Sequence, residues 1–305
     1  MRLGKPIKDL PASIRARLLK IARQLNIDFN RVLLIYLQQC FLDRLARSRY
    51  KEQFILKGGL LFYGVEPLIA RPTRDMDFLG KNVLNQPGRI EAAIREILTI
   101  ELPDGVTFLT QDMRSEIITE RRFYSGVRVF VPAELSKAKQ KVQIDVGFGD
   151  AVVPGPVEFD YPALLKDDPI KISAYSWNSV IAEKMEAIVS FSDLSSRMKD
   201  YYDIFYLQDR FNFNGNELSE AIEETFKRRE TDLSGSDYIF SEDFASNQDR
   251  QKQWRAFLGK NDLKEPADFF QVIKHLKQFL APVISAIIRK ENFAKKWDFA
   301  RKRWL

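Results

Sequence analysis

Residues 54–80 read FILKGGLLFYGVEPLIARPTRDMDFLG, and the fold turns on how this stretch is read. Phe54-Ile55-Leu56 is short, apolar and strand-like. Lys57-Gly58-Gly59 interrupts it, and paired glycines permit a tight turn and a close approach of ligand to backbone. Leu60 to Tyr63 is apolar enough to begin a helix, whose free N–H groups would face the turn and favour an anion. Asp75-Met76-Asp77-Phe78-Leu79 then reads as a second strand. Residues two apart on a strand share a face, so both carboxylates point one way while Met76 and Phe78 enter the core.

Adjacent carboxylates repel unless a cation lies between them or one is protonated. Oxygen ligands suit Mg²⁺, which commonly takes one or two carboxylates together with substrate phosphates. A phosphate-approachable turn followed by a metal-binding pair is what nucleotide chemistry requires. Each half alone has a plainer meaning. A lone Gly-Gly is usually a turn, and a lone Asp-x-Asp is usually a solvated loop, although enzymes that use nucleotide sugars also carry one.

Further along, Gln143-Ile144-Asp145-Val146-Gly147-Phe148 places one acid among apolar neighbours. A buried acid is costly unless it is paired or holds a metal. Alone, Asp145 would be read as a salt-bridged strand residue; after the glycine turn and the acid pair it completes a three-carboxylate set.

Lys57-Gly58-Gly59 followed by Arg71-Pro72-Thr73-Arg74-Asp75-Met76-Asp77-Phe78 resembles the AbiEii/AbiGii family of bacterial nucleotidyltransferase-like toxins. Gly147-Phe148-Gly149-Asp150 before a Pro-rich turn continues the likeness, as do Ala182-Glu183-Lys184 and Arg197-Met198-Lys199-Asp200 with Asp203. The resemblance runs over nearly the whole chain. It implies an α+β nucleotidyltransferase fold: a mixed sheet with flanking helices and a C-terminal helical lobe. It also implies a Mg²⁺-dependent transferase using a nucleoside triphosphate and opposed by a cognate antitoxin. Some family members add nucleotides to the 3′ end of tRNA and so block translation. The chain departs from the family pattern at Tyr175-Ser176-Trp177-Asn178, where a Pro and a Glu are expected before Ala182. It also has a longer interval from Gly59 to Asp75 than the broader fold uses, one that suits this family.

The resulting site expectations are these. Asp75, Asp77 and Asp145 hold up to two Mg²⁺. Lys57, Gly58, Gly59, Thr73 and Lys184 meet the nucleotide. Asp200 or Asp203 orients Lys184 or assists proton transfer, a choice the sequence leaves open. Lys184 lies close to an apolar helical stripe, where lysines usually snorkel, and Asp200 and Asp203 share a helix face that reads equally as a surface ladder. Arg71, Lys199, Lys295, Lys296, Arg301, Lys302 and Arg303 are candidates for RNA contact.

Length and composition set outer limits. The 305 residues allow a two-lobed protein with a sizeable core, and 45% apolar with 30% charged content is an ordinary globular profile. The chain has no apolar run near the ~20 residues of a membrane helix, and its start lacks a signal-peptide core. A single cysteine, Cys40, points to a reducing cytoplasm and reads as core. A single histidine, His275, excludes Cys/His zinc sites and histidine triads. The net charge is +6, and residues 289–305 carry seven Lys/Arg against Glu291 and Asp298, a net of +5. A basic end of this kind suits an acidic partner such as nucleic acid.

Helical spacing is expected over residues 11–25, 30–48 with Asp28 or Asn30 as cap, and 89–98, and strands near 106–109, 116–119, 126–131 and 142–148. Pro154 to Pro162 marks the expected boundary, giving a catalytic lobe at 1–160 and a helical lobe at 161–305 that completes the active-site cleft. In the second lobe, helices are expected at 179–191, from Arg197, at 217–229, 251–257, 269–280 and 283–304, with a loop over 231–247. Phe293, Trp297, Ala300 and Trp304 fall on one face of the last helix, a stripe that suits packing better than base stacking. Two other readings carry the same residues: transfer of a nucleotide to a protein side chain, and a non-catalytic module that binds RNA or antitoxin.

Overall fold

A computed structural model describes residues 9–65, 73–121, 124–191, 197–263 and 268–305. The chain forms two compact units, Met1–Gly149 with Val157–Ala174, and Asp150–Pro156 with Tyr175–Leu305.

The first unit opens with α1 (Leu10–Gln24) and α2 (Phe29–Arg47). Each starts at an aspartate: Asp9 accepts from the Ala12 N–H at 3.0 Å and Asp28 from the Arg31 N–H at 3.2 Å, satisfying donors that the first helical turn leaves free. Helix α1 buries one stripe, Ile14, Leu18 and Ala22, whereas α2 is buried along most of its length from Val32 to Leu45. Cys40 lies in that buried run, as core. Then come β1 (Phe54–Lys57), α3 (Gly59–Tyr63), β2 (Asp75–Gly80), α4 (Pro87–Leu98), β3 (Val106–Phe108), β4 (Arg114–Arg121), β5 (Tyr124–Leu135), β6 (Ala138–Gly147), β7 (Val157–Tyr161) and β8 (Ile170–Ala174).

These strands make one mixed sheet in the order β3-β5-β6-β2-β1-β8-β7, with β4 also pairing β5. Strand β2 runs antiparallel to β1 and parallel to β6, and β5 and β6 form a long antiparallel hairpin. Met76 and Phe78 are fully buried, and Phe78 meets Phe41 of α2 edge-on with ring centroids 6.0 Å apart. Helix α2 therefore covers the apolar face of β2, which leaves the acids on the opposite face.

The sheet also takes strands from beyond the Pro-rich turn. Helical periodicity was expected to dominate there, yet β7 and β8 rejoin the sheet, with β8 parallel to β1. Ile170-Lys171-Ile172-Ser173-Ala174 alternates at period two, but five residues directly after Pro169 are too few to stand out.

The second unit contains α5 (Trp177–Phe191), α6 (Met198–Gln208), β9 (Phe213–Asn214), α7 (Gly215–Arg228), α8 (Ser236–Ile239), α9 (Glu242–Ser246), α10 (Gln248–Lys260), α11 (Phe269–Arg289), β10 (Lys296–Asp298) and β11 (Arg303–Trp304). Tyr201, Phe244, Trp254 and Phe269 cluster in its core, with Tyr201 and Phe269 5.2 Å apart. Two sequence expectations are corrected here. The polar stretch 231–247 is not a loop but holds α8 and α9, because Ile239, Phe240, Phe244 and Ala245 are buried and Ser241 caps α9 through the Phe244 N–H. Residues 283–304 are not one helix. Helix α11 runs through Pro282 and stops where Lys290 adopts a left-handed backbone, and β10 then pairs with β11 on one side and β9 on the other in a small sheet. Trp297 and Trp304 oppose each other across that hairpin and pack on Phe279, at centroid distances of 4.9 and 5.6 Å. The aromatic spacing thus records two strands covering one helix. No described helix is long and apolar enough to cross a membrane.

Candidate active site

Four neighbouring strands of the first unit place one charged residue each at the same level. Lys57 on β1 opposes Asp77 on β2, Asp77 opposes Asp145 on β6, and Asp145 opposes Arg128 on β5. Directly paired residues share a sheet face, so the sheet carries a row of cation, acid, acid and cation. Asp75 lies two residues before Asp77 on that face, opposite Gln143. One oxygen from each of Asp75, Asp77 and Asp145 lies within 4.8 Å of the others.

Asp145 is buried and accepts a bidentate pair from Arg128: Nε to Oδ1 at 2.8 Å and Nη2 to Oδ2 at 2.7 Å. Gln143 Nε2 adds bonds of 3.2 and 3.1 Å to the same two oxygens. The hydrogen bonds that Arg128 donates to Asp145 hold its guanidinium even more firmly protonated than usual, with Glu116 and Asp75 adding to the effect. Asp75 accepts from the Thr73 hydroxyl at 2.8 Å. The donor set fits a hard cation. It consists of carboxylate oxygens only, clustered on one face, which is what Mg²⁺ prefers, although each Asp145 oxygen already accepts from both Arg128 and Gln143.

Gly58 has a structural reason of its own. Its φ of 69° and ψ of −156° lie where side chains are rarely found. A Cβ built there would stand 2.0 Å from Asp77 Oδ2 and 2.8 Å from Asp77 Cβ. The Asp77 carboxylate therefore rests over a turn that only glycine can make. Gly59 begins α3 and is buried, as is Lys57. Arg71 lies outside the described residues.

The second unit gathers a different set of the expected residues. Lys184 of α5 is buried, with Nζ 3.1 Å from Asp200 Oδ1 and 2.5 Å from Asp203 Oδ2 on α6. The lysine thus meets both acids between which the sequence offered a choice. Arg197 Nη1 stands 3.6 Å from Asp200 Oδ2, an oxygen that accepts no hydrogen bond among the described residues. Lys199 is exposed on the same helix.

One further cluster escaped the sequence reading. Arg229 reaches Asp150 at 2.8 Å, Glu183 at 3.0 Å and Glu186 at 2.9 Å, and Glu186 is fully buried. Burial opposes the charge of Arg229, but Glu183 and Asp150 outweigh it and raise its affinity for the proton. The aspartate of the GFGD motif is thereby tied to α5. Lys295, Lys296, Arg301, Lys302 and Arg303 are all exposed; Arg301 pairs with Asp298 at 2.6 Å and Lys302 with Asp209 at 2.5 Å.

Residues 40–282 match the family described as the nucleotidyl transferase AbiEii toxin of a type IV toxin–antitoxin system. No curated protein matches the chain. Among solved structures, it is similar to a provisionally assigned nucleotidyltransferase from Helicobacter pylori. That likeness has 12% identity and a TM-score of 0.49, and covers 88% of this chain and 100% of the other. It is also similar to JHP933 from Helicobacter pylori, at 13% identity and a TM-score of 0.46, over 86% and 93% of the two chains. The family assignment rests on the sequence match, which spans the acid strands, the GFGD segment and the Lys184 helix. The chain belongs to the AbiEii family of nucleotidyl transferase toxins of type IV toxin–antitoxin systems.

Proposed function

We propose that this nucleotidyltransferase moves a nucleoside monophosphate from a triphosphate onto RNA, with the 3′ end of tRNA as acceptor. The observation that carries the chemistry is the clustering of Asp75, Asp77 and Asp145 on one sheet face. In the reaction, the acceptor hydroxyl gives up its proton to solvent, its oxygen bonds to the α-phosphorus, the bond from that phosphorus to the bridging β-phosphate oxygen breaks, and pyrophosphate departs. Mg²⁺ held by these carboxylates would lower the pKa of the attacking hydroxyl and neutralise charge on the leaving group. Asp75 is held for that task by Thr73, and Asp145 by Arg128 and Gln143. Lys57 and the Gly58-Gly59 backbone are the proposed phosphate-side contacts. Lys184, oriented by Asp200 and Asp203, is the proposed triphosphate cation of the second unit. Type IV membership implies an antitoxin as partner.

The choice of RNA is supported by the exposed basic end, where Lys295, Lys296 and Arg303 join Arg301 and Lys302. Neutralising phosphates releases counterions, so binding should weaken steeply with salt. The test is incubation with Mg²⁺, total tRNA and each α-labelled nucleoside triphosphate in turn. Label on tRNA, lost when its 3′ hydroxyls are oxidised with periodate, supports the reading. Label on protein in place of RNA overturns the choice of acceptor.

A further inference from the structure

Arg128 occupies an unusual place for a salt-bridging arginine. Its partner Asp145 belongs to the three-acid cluster, so the same carboxylate that would hold a metal already holds a guanidinium in a two-pronged grip of 2.8 and 2.7 Å. The flanking Val127 and Val129 are fully buried on the other face of β5 and fix the backbone from which Arg128 projects. About a third of the arginine side chain, 31%, remains exposed. Lys57 ends the other side of the row, and Glu116 stands 3.9 Å from Arg128 at the rim.

Three carboxylates this close repel one another unless positive charge is present. Arg128 supplies one such charge permanently. A divalent ion entering the cluster then meets a cation already in contact with one of its ligands, and like charges at short range oppose its binding. We infer that Arg128 is the resident counter-cation of the acidic site: it competes with divalent metal for Asp145 and keeps affinity for the bare ion low. The inference rests on the proposed metal role of the three acids. Its consequence is that metal enters more readily together with the anionic triphosphate, whose charge offsets that of the arginine.

The test measures Mn²⁺ alone binding to the full chain, by calorimetry or by the free-ion electron paramagnetic resonance signal, without nucleotide. Arg128→Gln removes the charge and should tighten Mn²⁺ roughly tenfold at low salt, the size of a unit charge acting through a water-rich site. Its metal-free form should also melt lower than wild type and recover when Mn²⁺ is added. Arg128→Lys keeps the charge but loses the fork, and should bind within about threefold of wild type by the same charge argument. If Arg128 instead serves only to orient Asp145, both variants bind more weakly, and that result overturns the inference. Unchanged affinity in Arg128→Gln overturns it equally. An Asp75→Asn variant separates the two levels of the claim. If neither wild type nor Arg128→Gln binds Mn²⁺, or if Asp75→Asn leaves the binding undiminished, the acidic site is not the metal site and the underlying reading fails as well. If Asp75→Asn abolishes binding while Arg128→Gln leaves it unchanged, only the role of Arg128 is refuted.

Discussion

Gly58→Ala is the most revealing single change to this site. The backbone at Gly58, with φ 69° and ψ −156°, lies in a region essentially reserved for glycine, and forcing another residue there costs about 1–3 kcal/mol. The added methyl carbon would also sit 2.0 Å from Asp77 Oδ2, 2.7 Å from Cγ and 2.8 Å from Cβ. Rotating the carboxylate relieves the first contact but not the last, because the Asp77 Cβ is set by the backbone of β2. The strand or the turn must therefore move, and the acid row moves with it. We expect a loss of at least about 2 kcal/mol in urea unfolding, from strain and overlap together. Mn²⁺ affinity should fall as well, because Asp77 leaves its place beside Asp145. Gly88→Ala is the control: no atom lies within 4 Å of its added carbon, and within α4 the change should stabilise by about 0.4–1 kcal/mol. A Gly58→Ala protein destabilised by less than about 0.5 kcal/mol, the usual range of a neutral surface change, and binding Mn²⁺ like wild type, would refute the reasoning.

Other expectations follow from the second unit. Lys184→Met leaves Asp200 and Asp203 buried without their shared cation, and should cost about 3–5 kcal/mol in urea unfolding; a cost near zero would mean the lysine is not their counter-charge. His275 titrates below the usual imidazole range because of burial first and then Lys302, with Asp209 opposing. Since its folded pKa is depressed, the unfolded chain binds more protons between the two values, and stability falls as pH drops below about 6.5 towards the folded pKa. As it is the sole histidine, the urea midpoint of His275→Gln should lose most of the change seen between pH 7.5 and 5.5; an unaltered slope would place that titration elsewhere.

Much of the acid-bearing strand pair was legible because its signals are local. Asp75 and Asp77 bracket Met76, and Asp145 lies between Ile144 and Val146; a period of two sorts acid from core without knowledge of neighbours. The cap of α2 was legible as Asp28 or Asn30 for the same reason, and the structure selects Asp28. Arg128 was not, although Val127, Val129 and Val131 plainly turn it to the other face. Its meaning depends on β5 and β6 pairing so that it falls opposite Asp145, a register set by the whole hairpin. Arg229 was hidden similarly: its partners Asp150, Glu183 and Glu186 are distant in sequence and meet only in the fold. The C-terminal aromatics misled because spacings of four and three suit a helix, while Lys290 in a left-handed backbone ended it first. Strands β7 and β8 were lost among prolines, since a five-residue strand offers too few alternations to outweigh them.

The central claim is that Asp75, Asp77 and Asp145 together support nucleotidyl transfer. The measurement that tests it most directly is single-turnover transfer of α-label to total tRNA by wild type and by the three single Asp→Asn variants, each first shown to be folded. The account predicts transfer by wild type and losses of about a thousandfold or more in every variant, the scale of removing key charge stabilisation. Transfer by any of the three within about tenfold of wild type, a barrier change of only about 1.4 kcal/mol, would contradict it.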